Sequence, residues 1–354
     1  MSSAERKVIV AMSGGVDSSV AAAFLLEAGY QVTGVFMCLG AAGPGDGQDR
    51  CCSPEDAADA RRVAGALGID MYVLDLADAF RPIIDNFLAE YSRGRTPNPC
   101  VHCNSRIKFG RLMQRARELG AAYVATGHHA RIVTHNGQPA IARGLAADKD
   151  QSYALFAVGG DLLGRMLLPI GQIARKSRVR QIARSLGLNV HDKADSQEVC
   201  FVPDDDYAAL LRSRSPEAMR PGTIVSSAGE VLGEHDGFGQ FTIGQRRGLK
   251  VAAGEAMYVT GIDASTAAVT IGPRDEVPGK SLTASCANWH CEVPEVFDAT
   301  VQIRYNHRGC PGRVRVTGPE SFAVDFTEKA WAITPGQAAV VYDGDVLLGG
   351  GWID

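Results

Sequence analysis

The segment MSGGVDSS, Met12 to Ser19, constrains the fold of this chain more than any other. A short apolar run, residues 7–12, precedes it, and an alanine-rich run, residues 18–28, follows and stops at Gly29. Two adjacent glycines between a strand and a helix let backbone N–H groups turn into one concavity. The start of the helix adds positive potential there, and the hydroxyls of Ser13, Ser18 and Ser19 extend the donor set. Such an arrangement suits a pyrophosphate. It is neither the dinucleotide fingerprint nor the Walker loop, because the glycine spacing differs and no lysine follows. Asp17 beside a phosphate calls for a Mg²⁺ ion or for a role in orienting the loop.

Strand and helix alternate through the first half. Residues 32–37, 69–74 and 122–126 read as strands, and residues 78–91 and 105–119 as helices. Another helix starts at Ser53-Pro54-Glu55-Asp56, with a serine cap, proline in the first turn and acids near the positive end, and runs to Leu67. This order predicts an α/β domain with a parallel sheet covered by helices on both faces. Residues 175–186 form a last helix dense in Arg and Lys, either a solvated face or a nucleic-acid contact. From Gly222 the pattern becomes short apolar runs separated by Gly, Asp and Pro. Asp343-Gly344 between two such runs is a hairpin signal. The expected division is 1–205 for the α/β domain, 206–278 for a small, mostly β central domain and 279–354 for a C-terminal β-barrel.

Bulk properties narrow the function. The net charge is −4 and the pI about 6.1, so there is no global basic field, and an RNA contact needs a local patch. No apolar run of about 18 residues is present, which excludes a helical membrane span, and the first residues lack a secretory h-region. A cytoplasmic location with reduced thiols is expected. Nine cysteines, an odd count, do not make a disulfide scaffold.

Two of those cysteines lie in TPNPCVHCN, Thr96 to Asn104, which reads as a proline-rich loop. Cys100 and Cys103 fit a structural zinc site, a redox pair, inert loop residues or sulfur chemistry, and their spacing alone leaves all four open. No second CxxC completes a zinc site. A third cysteine, Cys200, stands in DSQEVCFV.

SGGVDS resembles the PP-loop of the ATP pyrophosphatases, which cleave ATP between its α and β phosphates. Taken in order, SGGVDSSV, GRTPNPCVHCN, ATGHHAR, DKDQSYAL, DSQEVCFV, FTIGQRRGL and RYNHRG resemble the tRNA-specific 2-thiouridylases over nearly the whole chain. These enzymes replace O2 of the wobble uridine with sulfur. The resemblance implies a PP-loop domain, a central domain and a C-terminal β-barrel. It assigns Ala11, Met12, Ser13, Gly14, Gly15, Val16, Asp17, Ser18, Met37 and Gly127 to ATP. Met37 ends one strand and Gly127 follows another, where such sheets bind ligands. It assigns Asn98, Pro99 and Cys100 to the target base, and Lys149, Asp150, Gln151, Arg304 and Tyr305 to tRNA. Gln245-Arg246-Arg247 is a further basic stretch of the same kind. His128 and His129 read as polar structure or ATP-side contacts.

The resemblance also gives the cysteines roles. Cys200 carries a persulfide, and Cys103 is the nucleophile that releases its sulfur, leaving a transient Cys103–Cys200 disulfide. Nucleophilic thiols act as thiolates, so the site is expected to lower the cysteine pKa values. Some members carry Asp where this chain has Cys100. Three thiols at Cys100, Cys103 and Cys200 match a [4Fe–4S] ligand set as well, and both routes stay open here. The implied small molecules are ATP and Mg²⁺. The implied partners are tRNA (the lysine, glutamate and glutamine acceptors) and a sulfur donor, either a cysteine desulfurase or a relay sulfurtransferase. A monomer with no membrane partner is expected. Two other functions stand beside this one: a PP-loop amidating synthetase with no need of the cysteines, and an RNA-binding or iron–sulfur regulatory protein that turns over no ATP.

Overall fold

The order of the strands in the first sheet decides where a ligand can enter. A computed structural model of the chain describes residues 6–40, 54–194, 199–202, 206–251 and 254–354. Ser53, the expected helix cap, and Asp195, Ser196, Gln197 and Glu198 of the Cys200 segment lie outside the described residues. The first unit contains β1 (Lys7–Ala11), α1 (Val16–Glu27), β2 (Gln31–Cys38), α2 (Pro54–Leu67), β3 (Asp70–Asp75), α3 (Ala77–Ser92), α4 (Pro99–His102), α5 (Leu112–Glu118) and β4 (Tyr123–Ala125). Then come β5 (Ala130–His135), β6 (Gln138–Arg143), β7 (Met166–Leu167), α6 (Lys176–Ser185) and α7 (Tyr207–Arg214). Strands β3-β2-β1-β4-β7 form a sheet in which every pairing is parallel. Chain order reverses between β1 and β4, so the crevice for a ligand lies at their carboxyl ends. The turn after β1 is the Gly14-Gly15 loop, and the turn after β4 holds Gly127. Helix α1 is apolar on nearly all sides and buried against β1, β2 and α6, as a core helix must be.

The expected cysteine loop is instead helical. Pro99 occupies the first turn, where its fixed φ and missing N–H cost nothing. From Cys103–Arg111 the helix widens to i→i+5 hydrogen bonds before narrowing into α5. Cys100 and Cys103 therefore belong to one continuous helical segment, 99–118, rather than to the approach to it. Prolines at 97 and 99 read as a loop signal, but they mark the entry to the helix.

The second unit is a four-stranded sheet of β8 (Gly222–Ser226), β9 (Val231–His235), β10 (Tyr258–Asp263) and β11 (Ala268–Gly272), in the order β10-β11-β8-β9. Its core is Ile224, Phe238, Val259, Val269 and Ile271. The third unit comprises β12 (Gly279–Trp289), β13 (Val296–Gln302), β14 (Cys310–Gly318), β15 (Ser321–Ala330), β16 (Ala338–Asp343) and β17 (Val346–Ile353). These strands pair as β12-β15-β14-β13-β16-β17, and β12 also pairs with β17, which closes the barrel. The β16–β17 turn is the expected Asp343-Gly344 hairpin.

Hairpin β5–β6 lies within the α/β sequence yet joins the barrel sheet, through Val346 opposite Ala142. One apolar cluster accordingly runs across both units. It contains Val101, Phe109 and Leu112 of the cysteine helix, Tyr153 and Phe156 beyond it, and Val340, Tyr342 and Leu347 of the barrel, with Trp352 packed against it.

Candidate active site

The phosphate loop is built by close approach. Gly14 has φ +72°, and a Cβ there would run into the backbone carbonyl of Asp56 in α2. A Cβ on Gly127 would lie 2.5 Å from the Ser18 nitrogen and 2.9 Å from the Asp17 Cβ. The turn after β4 thus rests on the first turn of α1, and only glycine fits. Ser13 N–H donates to Ser18 Oγ at 3.2 Å, and the Ser19 hydroxyl donates to Gly15 O at 2.8 Å. Ser19 is fully buried, so its hydroxyl serves the helix start rather than a ligand, unlike the exposed Ser13. Met37 ends β2, half-buried between two apolar clusters.

Asp17 has an orienting role. One carboxylate oxygen bonds His129 Nε2 at 3.2 Å, and the other bonds Lys176 Nζ at the start of α6. Burial alone would raise this carboxyl, but the hydrogen bonds of His129 and Lys176 outweigh it and hold Asp17 below the usual carboxylate range, hence ionised. His129 is itself clamped by Gln151, whose side chain accepts from His129 N–H at 2.8 Å. The lysine missing after SGGVDS is therefore supplied from 159 residues downstream. Lys176 and Lys193 lie outside the motifs that carry the resemblance, because only the fold brings them to Asp17 and Gly14, whereas His129 stands in ATGHHAR and its bond to Asp17 puts it beside the loop. The basic helix around Lys176 is likewise turned inward in part. Arg180 donates to the carbonyls of His191 and Lys193, and Arg184 pairs with Asp192.

The barrel fixes the thiol site. Gln337 Nε2 donates to the carbonyls of Thr96 and Pro97 at 2.9 and 3.1 Å, and Thr96 N–H donates to Pro335 O. Trp352 stacks on His102, between the two helical cysteines, at 4.5 Å between ring centres. Asn98 hydrogen-bonds the hydroxyl of Tyr153, which also donates to Ala338 O of β16. Cys103 packs in one apolar cluster with Phe201 and Val202, and Phe201 meets Phe80 and Phe87 edge-on. Residues a hundred positions apart are thereby gathered around Cys103 and Cys200.

All three thiols are free. Their pKa values are raised, against expectation. Burial pushes up Cys100 and Cys103, with the Lys108 ammonium opposing it in both. Burial and the neighbouring Cys103 and Cys100 push Cys200 up to about 12. Cys100 and Cys200 are exposed as residues, but the protein packed around them desolvates their thiols by more than the half-buried Lys108 offsets. Among the described residues, no three His, Cys, Asp or Glu side chains are grouped so as to hold a metal ion.

The residues expected at tRNA divide into two kinds. Asp150 is occupied internally. It accepts from Gly144 N–H, from Ser152 N–H and hydroxyl, and from Arg143 at 3.0 Å, while Arg143 also reaches Gln302 of β13 at 2.7 Å. Gln151 holds His129, and Lys149 is half-buried. Arg304 donates to Ile243 O at 2.6 Å and to Thr334, which ties the barrel to the central sheet. Tyr305 is 43% exposed, and partial burial, then the charges of Asp150 and Cys100, push its hydroxyl up. Gln245 is spent on its own turn, through Thr242 N–H and Arg247 O.

Three family models match the chain: "tRNA methyl transferase HUP domain" at residues 6–204, "tRNA methyl transferase PRC-barrel domain" at 209–273 and "Aminomethyltransferase beta-barrel domain" at 279–353. The chain is similar to the tRNA-specific 2-thiouridylase MnmA of Carboxydothermus hydrogenoformans, with 48% identity over 99% of this chain and 98% of that one. It is also similar to the protein of the same name from Rhodopirellula baltica, with 46% identity over 98% and 96%. Among solved structures, a 4-thiouridine synthetase–RNA complex with bound ATP is similar over 53% of this chain and 42% of that one, at 16% identity and a TM-score of 0.36.

Proposed function

We propose a mechanism from the premise that the chain belongs to the tRNA-specific 2-thiouridylase family, and is thus a PP-loop enzyme that uses ATP to thiolate tRNA. The finer reading is that O2 of the wobble uridine, position 34, attacks the α-phosphate of ATP and pyrophosphate leaves. The O2-adenylated base then loses AMP as sulfur bonds to C2. Adenylation matters because a carbonyl oxygen is a poor leaving group, whereas AMP leaves readily.

On this reading residues 11–18, Met37 and Gly127 receive the nucleotide, which brings Mg²⁺ as its own counterion. The bonds of Asp17 support this, since an aspartate held by Lys176 and His129 orients the loop instead of repelling phosphate. Cys200 takes sulfur from a donor protein as a persulfide. Its terminal sulfur bonds to C2, Cys103 attacks the remaining Cys200 sulfur, and a Cys103–Cys200 disulfide forms. A two-electron reductant restores both thiols. The observation that carries this route is the shared cluster of Cys103, Phe201 and Val202 beside Asn98, Pro99 and Cys100. No step here is routed through an iron–sulfur cluster; were one bound, Cys100, Cys103 and Cys200 would hold it and it would supply sulfur as hydrosulfide. Tyr305 offers an exposed ring near Cys100 on which the target base stacks. Lys149 contacts the tRNA backbone, Arg304 supports that surface from within through its bonds to Ile243 O and Thr334, and the lysine, glutamate and glutamine tRNAs are the expected acceptors.

The test is anaerobic and uses iron-free protein with ATP, Mg²⁺, an unmodified tRNA transcript bearing uridine 34, and a cysteine desulfurase with cysteine. Mass spectrometry of the digested RNA should reveal 2-thiouridine and an equal amount of AMP. Product only after reconstitution with iron and sulfide overturns the persulfide route. AMP formation with an amine instead, unaffected by loss of Cys103 and Cys200, favours the amidating reading.

A further inference from the structure

Lys193 meets the phosphate loop from outside the signature that defines it. Its ammonium donates to Gly14 O at 3.0 Å, to Asp56 Oδ1 at 2.5 Å and to Asp59 Oδ2 at 2.6 Å. Both acids belong to the first turns of α2, whose backbone already abuts Gly14. Asp59 is held in turn by Asn189 at 2.8 Å and by Arg62 at 2.6 Å. The lysine's own carbonyl accepts from Arg180 of α6 at 2.6 Å. Its position is therefore fixed at both ends, by α2 through the side chain and by α6 through the backbone.

The charge balance separates Lys193 from a phosphate ligand. One ammonium faces two carboxylates, so it carries no spare positive charge into the loop. What it controls is the Gly14 carbonyl. The peptide joining Gly14 to Gly15 is planar and trans, so its oxygen and the Gly15 N–H point in opposite directions. With the oxygen tied to Lys193, the Gly15 N–H is turned away from α2. Gly14, with no Cβ and a positive φ, offers little resistance of its own to rotation of this peptide. A reversed peptide would present a carbonyl oxygen to an anion and repel it.

We infer that Lys193 is a positioning residue for the nucleotide: it locks the Gly14–Gly15 peptide in the orientation that presents an N–H, and not a carbonyl, to the phosphates of ATP. The inference rests on the reading of this loop as the ATP site and adds a residue to it. Loss of the lysine frees the peptide to rotate, so nucleotide binding weakens while the tRNA surface is untouched.

The experiment compares wild type, Lys193→Met, Lys193→Arg and Asp56→Asn in the full chain. Affinity for α,β-methylene-ATP and for tRNA is measured by calorimetry, amide exchange is followed in the peptide spanning residues 12–19, and the fold is checked by thermal melting. Lys193→Met should bind the nucleotide about 10- to 100-fold more weakly, the worth of one hydrogen bond to a charged group. Exchange in the loop should quicken, and tRNA affinity should hold. Lys193→Arg should recover most of the loss. Asp56→Asn leaves the Gly14 contact in place and should show a smaller change of the same sign, which keeps the test open if Lys193→Met does not fold. A folded Lys193→Met chain with wild-type nucleotide affinity overturns the inference, as does equal loss of both ligands. With Lys193→Met unfolded, an Asp56→Asn chain indistinguishable from wild type overturns it too. A wild-type chain that binds no nucleotide removes the ATP-site reading beneath it as well.

Discussion

Gly127→Ala tests whether the turn after β4 and the first turn of α1 form one surface. The added Cβ would lie 2.5 Å from the Ser18 nitrogen, about 0.9 Å inside the 3.4 Å at which ordinary contact begins. The atoms it meets are backbone of Ser18 and Asp17 plus the Asp17 Cβ, so no flexible side chain can swing aside. The helix start must move by most of that distance and take Asp17 and its ion pair with Lys176 along. Overpacking of this kind costs about 1–3 kcal/mol of stability. A shift near 1 Å at reacting groups costs about 100-fold in rate. Steady-state formation of AMP and 2-thiouridine should therefore fall about 100-fold in kcat/KM for ATP, in a chain that still melts cooperatively. Gly65→Ala is the control. Gly65 lies within α2 with nothing within 4 Å of an added Cβ, and alanine there should stabilise by roughly 0.5–1 kcal/mol without touching activity. Wild-type kcat/KM for Gly127→Ala would refute the argument from close approach.

Four further outcomes are expected. Cys103→Ser and Cys200→Ser should each abolish thiolation, whereas serine at exposed Cys286 should not. With Cys200 pushed up to about 12, its alkylation by iodoacetamide in the ligand-free chain should quicken about tenfold per pH unit between pH 7 and 10; a plateau near pH 8 would contradict the burial argument. Trp352→Ala removes the stack on His102 and should cost about 2–3 kcal/mol in urea unfolding, with thiolation lost by tenfold or more and nucleotide affinity kept; equal loss of both would show that the barrel does not act on the cysteine helix in particular. Burial first, then the Arg106 charge, lowers His102 to about 4. The folded ring stays neutral while the unfolded one gains a proton near pH 6.5, so this contribution is fully present above pH 6.5 and is lost as pH falls from 6.5 to 4. At about 1.4 kcal/mol per pH unit, and discounted for the half-exposed ring, the loss is roughly 2 kcal/mol. His102→Gln should flatten the acid limb of the urea midpoint by that amount, and an unchanged limb would contradict it.

Local chemistry was legible because it is written over short distances. A glycine pair between an apolar strand and an alanine-rich helix has few uses, and the parallel pairing of β1, β2, β3 and β4 follows from the alternation of strand and helix. The Asp343-Gly344 turn and the change to β structure near Gly222 were equally readable. The cysteine segment was misread locally: prolines 97 and 99 signalled a loop, and the widened helix from Cys103 has no simple sequence period. The hairpin of β5 and β6 was missed as a part of the barrel, because strand pairing with β17 spans some two hundred residues and leaves no local trace.

The sequence by itself determined the nucleotide loop, the layer architecture and the identity of the three thiols, since each depends on backbone freedom or side-chain chemistry at a few neighbouring positions. Only the tertiary structure decided how those parts act. It brought Lys176 and His129 to Asp17, set Trp352 against His102, and gathered Cys103 with Phe201. It also reversed the expected ionisation of the cysteines. A pKa depends on how much water and which charges surround a group, and that environment exists only after distant segments have packed.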